Sequence, residues 1–166
     1  MKPPKFCPDC AASLAATERD GAMRLVCVCG YVHWNNPTPV VAAIVERDGC
    51  VLLARNKTWP GEWFGLITGF LEANEHPEQG VLREVQEELG LSGEIVGFVG
   101  HYVFDRMNQI ILAYHVRAAG EVTLGDELAA YKAVPIDQLR PWPFATGEAV
   151  RDWLARRKTT AGLLRT

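Results

Sequence analysis

The sequence has no apolar run long enough to cross a bilayer. The longest plain one, Val40-Val41-Ala42-Ala43-Ile44-Val45, falls far short of the roughly 20 residues a membrane helix needs. The opening MKPPKFCPDC carries lysines but no apolar h-region, so nothing in it reads as a secretory signal. Internal repeats and low-complexity tracts are missing. An excess of positive charge is missing too: 17 Lys+Arg stand against 20 Asp+Glu, for a net charge of −3. These absences speak against a membrane partner and against nucleic acid as the main partner. A cytoplasmic location is the default expectation.

What is there is a globular composition. The 166 residues are 48% hydrophobic and 22% charged, enough for one cored domain with a small appendage. Five cysteines are present. Four of them fall within residues 7–29, and clustered cysteines without a secretory signal point to a metal site before disulfides.

Residues 1–36 are too few to bury a core of their own, and Asn35-Asn36-Pro37-Thr38-Pro39 reads as a break. The chain is therefore divided into a ribbon-like segment 1–36, a main domain 37–158 and a tail 159–166. In the main domain, Val40–Glu46 and Val51–Arg55 are β-rich, with Asp48-Gly49 between them as a hairpin turn. Residues 56–68, rich in Trp, Pro and Gly, are expected to be an irregular loop. A helix is expected over 77–90, and strands over Ile95–Val99, Tyr102–Phe104 and Gln109–Arg117. Residues 121–130 read as loop, and Tyr131–Pro135 as a short strand. A last helix is expected after Thr146, with Val150, Trp153 and Leu154 inward and Arg156, Arg157 and Lys158 in its last turn. Strands mixed with two helices indicate an α/β (α+β) layered domain.

The chemistry concentrates in residues 69–91, GFLEANEHPEQGVLREVQEELGL. Pro77 suits a first helical turn and Gly90 a C-cap. Val81, Val85 and Leu89 recur every four residues and form the inward stripe. Glu84, Glu87 and Glu88, at i, i+3 and i+4, converge on one face, where like charges repel. A hard divalent cation such as Mg²⁺ or Mn²⁺ would turn that repulsion into ligation. A solvated acidic face is the plainer alternative for three glutamates taken alone.

They are not alone. The segment resembles the Nudix box, G-x5-E-x7-R-E-U-x-E-E-x-G-U with U aliphatic, at Gly69, Glu75, Arg83, Glu84, Val85, Glu87, Glu88, Gly90 and Leu91. The resemblance implies an α/β/α sandwich with a mixed sheet, extending over roughly 39–157. It implies Mg²⁺ or Mn²⁺ held by Glu84, Glu87, Glu88 and the Gly69 carbonyl. Arg83 would pair with Glu75 or with the glutamates. The activity it implies is hydrolysis of a nucleoside diphosphate linked to another group X, with water attacking phosphorus. Glu87, Glu88 or a loop residue would take the proton. Glu127, in Gly125-Asp126-Glu127, sits where relatives often carry a further glutamate, and a solvated turn carboxylate is its other reading.

Cys7-Pro8-Asp9-Cys10 is a C-x-x-C knuckle, and Cys27-Val28-Cys29-Gly30 a tighter C-x-C pair. Two cysteine pairs on neighbouring hairpins supply the four ligands of a structural Zn²⁺. His33 is an alternative ligand, and Cys50 reads as a small buried hydrophobe. The junction CGYVHWNNPTPVVAAIV is similar to that of zinc-ribbon Nudix hydrolases, which include NADH, FAD and ADP-ribose pyrophosphatases. The resemblance leaves room for a homodimer formed through the ribbon. The NADH pyrophosphatase signature S-Q-P-W-P-F-P-x-S is absent at 101–109, and Pro141-Trp142-Pro143-Phe144-Ala145 reads as a local turn. The group X therefore stays open.

Trp59, Trp63, Phe64, Tyr102 and Phe104 flank this region in sequence, as stacking partners or as core. Arg55 and Arg106 are candidates for contact with substrate phosphate. The alternative to an enzyme is a binding module that senses a nucleotide or engages a partner through its ribbon.

Overall fold

The computed structural model describes residues 3–163. Contacts divide the chain into a unit ending at Pro37 and a unit beginning at Thr38.

The first unit is a small antiparallel sheet of β1 (Ala15–Arg19), β2 (Ala22–Val26) and β3 (Val32–His33), in that order. Its strands are largely exposed, while Cys7 and Cys27 are buried.

The second unit is a six-stranded mixed sheet between two helices. Its strands are β4 (Thr38–Arg47), β5 (Cys50–Asn56), β6 (Ile67–Phe70), β7 (Ser92–Phe104), β8 (Gln109–Ala119) and β9 (Leu128–Pro135). The order is β7-β8-β4-β5-β9. β4 is the axis. It runs parallel to β8 from Thr38 to Glu46. Its other edge is shared: Val40–Ala43 pair with β6, and Val45–Arg47 with β5. A parallel pair at the centre needs cover on both faces. Accordingly, Val41 to Val45 are fully buried.

Period-two alternation along β4 assigns each residue to one layer. Val41, Ala43 and Val45 pack with Val81, Val85 and Leu89 of α1 (Pro77–Leu89). Val40, Ala42 and Ile44 pack with Ala149, Val150 and Trp153 of α2 (Thr146–Leu163). The hairpin lies where Asp48-Gly49 indicates, with both residues at positive φ (50° and 75°) and Arg47 paired to Cys50. α1 starts at Pro77 and ends at Gly90 (φ 68°), whose N–H donates to the Gln86 carbonyl.

Four expectations need correction. Residues 128–130, read as the end of a loop, open β9, because β5 supplies their partners. Ile67–Phe70, at the edge of the segment read as loop, is a strand, because β4 supplies its hydrogen bonds. Ile95–Val99 and Tyr102–Phe104 are one strand, β7, interrupted by irregularities after Ile95 and Phe98 rather than by a turn. α2 continues past Arg156, Arg157 and Lys158 to Leu163, so those cations do not sit in its last turn. Residues 164–166 of the expected tail lie outside the described residues. Among the described residues, no helix is long and apolar enough to cross a membrane.

Candidate active site and metal centre

β6 delivers Gly69 beside α1. A side chain there would push the Glu84 carboxylate aside: a Cβ on Gly69 would lie 1.8 Å from the Glu84 carboxyl carbon. Glycine at 69 is thus the condition for Glu84 to reach the strand.

Arg83 organises the acidic residues. Its Nε and Nη2 donate to the two Glu75 oxygens at 2.8 and 2.9 Å, a bidentate pair. Its Nη1 donates to Glu84 at 2.7 Å and to Glu87 at 3.0 Å, and its Nη2 also donates to the Phe70 carbonyl at 3.1 Å. Arg83 therefore ties β6, the β6–α1 loop and α1 together. The guanidinium, with help from the Glu72 N–H, holds the Glu75 carboxyl down at about 2. Glu75 in turn does most to raise the basicity of Arg83.

Glu88 has no such partner. Burial, then the charges of Glu84, Glu127 and Glu87, push its carboxyl up to about 8. Glu84 is raised as well, chiefly by burial, against the pull of Arg83.

Glu127 is brought to the same place by a different loop. Gly125 meets the end of α1 so closely that a Cβ would lie 2.3 Å from the Glu87 carbonyl oxygen. The Gly125 N–H donates to the Glu88 carbonyl at 2.9 Å. The Lys57 N–H donates to the Glu127 carbonyl at 2.8 Å. The Asn56 side chain is oriented by Thr58, whose N–H and hydroxyl both donate to Asn56 Oδ1. That leaves Asn56 Nδ2 directed at Glu127 Oε2, at 3.4 Å. Sequence reasoning missed this Asn56–Thr58 latch. An Asx turn directly after a strand is its one local signal.

Glu84, Glu87, Glu88, Glu127 and Gly69 line one cavity of about 550 Å³. Six carboxylate side chains and one cation, Arg83, are among the described residues around it. Glu75 is not in the lining and stands behind Arg83. Arg55 does not line the cavity, although its neighbours Ala54 and Asn56 do. Arg106, in the short turn Asp105–Met107, is also outside the lining. The set of hard oxygen donors suits a divalent cation of the Mg²⁺ or Mn²⁺ class.

In the first unit, the Cys7, Cys10, Cys27 and Cys29 sulfurs all lie within 4.8 Å of one another. Cys7 and Cys29 approach to 3.6 Å, and Cys10 and Cys27 to 3.4 Å. A tetrahedron with ~2.3 Å zinc–sulfur bonds spaces its sulfurs by about 3.8 Å, so the geometry fits. The C-x-C pair reaches this spacing through a tight turn, in which the Gly30 N–H donates to the Cys27 carbonyl at 3.0 Å. His33 sits on β3, paired with Leu25, outside the cluster.

The aromatic residues separate into two groups. Tyr102 is buried and donates to Asp152 of α2 at 3.0 Å, and Phe64 packs on the α2-side core. Trp59, Trp63 and Phe104 instead line a second cavity, of about 200 Å³. The Trp142–Phe144 stretch is more than a local turn: both rings pack against Trp63, at 5.8 and 5.5 Å.

A mixed sheet between two helices, with a glycine strand beside an Arg-Glu-x-x-Glu-Glu helix, defines a layered α/β domain with an acidic cavity. The NUDIX domain model matches residues 36–156, and the chain belongs to that family. It is 28% identical over 162 residues to the NAD-capped RNA hydrolase NudC of Pseudomonas aeruginosa. That match takes in 95% of this chain but 58% of the relative, so the chain spans little more than half the length of such relatives. A NUDIX hydrolase from Nitrosomonas europaea shares the fold with a TM-score of 0.79 at 23% identity, over 94% of this chain and 93% of the other. An ADP-ribose pyrophosphatase from Streptococcus suis superposes with a TM-score of 0.61 at 20% identity, over 74% and 92%.

Proposed function

We propose that the chain is a hydrolase that cleaves the diphosphate of a nucleoside diphosphate linked to a second group. The class includes dinucleotides such as NADH or FAD, and ADP-ribose. The observation that carries this reading is the convergence of Glu84, Glu87, Glu88 and Glu127 on one cavity, with Gly69 directly against Glu84. The names of the similar proteins, one acting on NAD-capped RNA and one on ADP-ribose, agree with it.

Glu84, Glu87, Glu88 and the Gly69 carbonyl would hold Mg²⁺ or Mn²⁺. The bound cation would screen the diphosphate charge and acidify the attacking water. Arg83 and Glu75 keep the ligand residues in place. Glu87, Glu88 or Glu127 accepts the water's proton as its oxygen bonds to one phosphorus and the bridging P–O bond breaks. Two phosphate-bearing products result. In the same reading, Cys7, Cys10, Cys27 and Cys29 hold a structural Zn²⁺ that staples residues 1–36, and the Nudix domain occupies 37–158. Sizing the zinc-loaded protein reads whether the ribbon also pairs two copies.

The test is incubation with Mg²⁺ or Mn²⁺ and a panel of NADH, FAD, ADP-ribose, nucleotide sugars and nucleoside triphosphates, with Glu87→Gln and Glu88→Gln alongside. New monophosphates are expected from the parent protein only. A parent that cleaves nothing, or variants equal to it, removes the enzyme reading.

A further inference from the structure

We infer that the aromatic annex beside the acidic cavity is the base-binding pocket, and that it selects a single one- or two-ring nucleobase. The inference rests on the diphosphate hydrolase reading and names the part of the substrate that reading leaves open.

The two cavities share a wall. Thr68 of β6 and Gln109 of β8 line both, and so does Trp59. A ligand whose phosphates face the glutamates can therefore extend into the annex without crossing bulk solvent. The walls of the two differ in character. Among the described residues lining the annex there is no charged side chain; Trp59, Trp63, Phe104 and Phe144 dominate it, with Thr68, Gln109 and Thr146 as its polar groups. An uncharged planar ring suits such a wall, and the Gln109 amide offers a donor and an acceptor to a base edge.

Two of these rings are not core. Trp63 is 36% exposed and Phe144 is 41% exposed, although both are large apolar residues. Their position is nevertheless fixed. Trp63 packs on Trp59 at 4.7 Å, on Phe144 at 5.5 Å and edge-on to Trp142 at 5.8 Å. Exposed rings held rigidly by other rings form a preorganised stacking surface, and stacking tolerates any base.

Size sets the limit. The annex encloses about 200 Å³, below the roughly 300–1,000 Å³ of a pocket for a whole drug-sized ligand. It holds one base, while the 550 Å³ cavity takes the sugar and phosphates. A three-ring flavin exceeds it. FAD would then have to enter with its adenine.

Calorimetric titration of the full chain with AMP, UMP, FMN and ribose 5-phosphate, in Mg²⁺, tests the pocket without any cleavage. AMP and UMP are expected to bind, with FMN and ribose 5-phosphate at least about tenfold weaker, because stacking on aromatic rings contributes at this scale per base. Phe144→Ala and Trp63→Ala should weaken AMP by about 5- to 150-fold. They should raise KM for the cleaved substrate in parallel, with kcat little changed. Trp63→Phe, which keeps a ring, should recover most of the binding and guards against a folding artefact. Equal affinity for ribose 5-phosphate and AMP, equal affinity for FMN, or an unchanged KM in both alanine variants would overturn the assignment. If the protein cleaves no diphosphate yet AMP binding still depends on Phe144, the hydrolase reading fails and the pocket stands. If cleavage is normal and the alanine variants behave as the parent, the pocket alone fails.

Discussion

The thiol cluster and the glutamate cluster both gather side chains that repel or gain nothing from each other without a cation, yet they depend on one in opposite ways. The ribbon has almost no core: β1 is exposed along its whole length, and among the described residues the buried hydrophobic ones of the first unit are Cys7 and Cys27. In the proposed reading, a segment like that would rely on a bound metal for order. The glutamates sit on a helix already fixed by Val81, Val85 and Leu89, all fully buried. There the fold imposes the repulsion, and a bound cation would relieve it. One site makes structure from ligation; the other makes ligation possible by spending none of its structure on it.

The largest expected effect separates them directly. Stripping zinc with a strong chelator should abolish hydrogen-exchange protection over β1 and β2, while β4 and β8 stay protected. Structural zinc sites contribute ~10–16 kcal/mol in small peptides, so the loss should be complete. Protection that persists in the zinc-free ribbon would erase the contrast.

Next in size, Glu87→Gln and Glu88→Gln should lower kcat by about 10²–10⁴-fold. Glu88→Gln should not lower Tm, since it removes a charge that burial and three neighbouring carboxylates disfavour. A thermal melt beside the kinetics checks both halves, and a marked drop in Tm would show that Glu88 stabilises the fold. Gly69→Ala should also lose at least about tenfold in kcat, because its methyl displaces Glu84.

A smaller effect is read from pH. Glu75 titrates near 4.5 in the unfolded chain and at about 2 when paired with Arg83. The unfolded state therefore takes up the proton first. The pair's contribution is full above 4.5 and is lost as pH falls toward 2. Acid unfolding of Glu75→Gln should show a shallower slope in that window. An unchanged slope would mean that the pair does not stabilise the fold.

The smallest is at His115, whose Nε2 lies 2.7 Å from Glu46. Burial, opposed by Glu46, holds this imidazole below its usual 6.5. Because the fold disfavours the charged ring, its contribution is present above 6.5 and fades on acidification below it. A pH series of Tm for His115→Gln should be flatter from 6.5 downward than that of the parent.

How much of this was legible in the sequence depended on whether the signal was local. α1 could be read because its stripe, its proline and its terminal glycine all lie within one segment. The cysteine knuckles were legible for the same reason. β6 was hidden because Ile-Thr-Gly-Phe has no strand pattern of its own and becomes a strand only against β4. β7 looked like two strands because Gly100-His101 interrupts its apolar pattern, while its partner β8 runs unbroken. The annex was least visible. Trp63 and Phe144 are about eighty residues apart, and only the fold brings them to 5.5 Å. Glu127 was legible as a candidate, but the Asn56 and Thr58 contacts that direct it come from another strand end.

The alternation along β4 has a consequence for which changes of length the chain can survive. Its even-numbered residues from Val40 to Ile44 belong to the α2 layer and its odd-numbered ones from Val41 to Val45 to the α1 layer. A single residue inserted between Val40 and Val45 would send part of each set to the wrong layer and shift the strand against β6, which carries Gly69. The same insertion in the exposed stretch 60–62 meets no such constraint from the sheet. Insertions and deletions that keep this chain folded are therefore expected to gather in its loops and to avoid β4, and a library of one-residue insertions scored for folded protein would map that boundary.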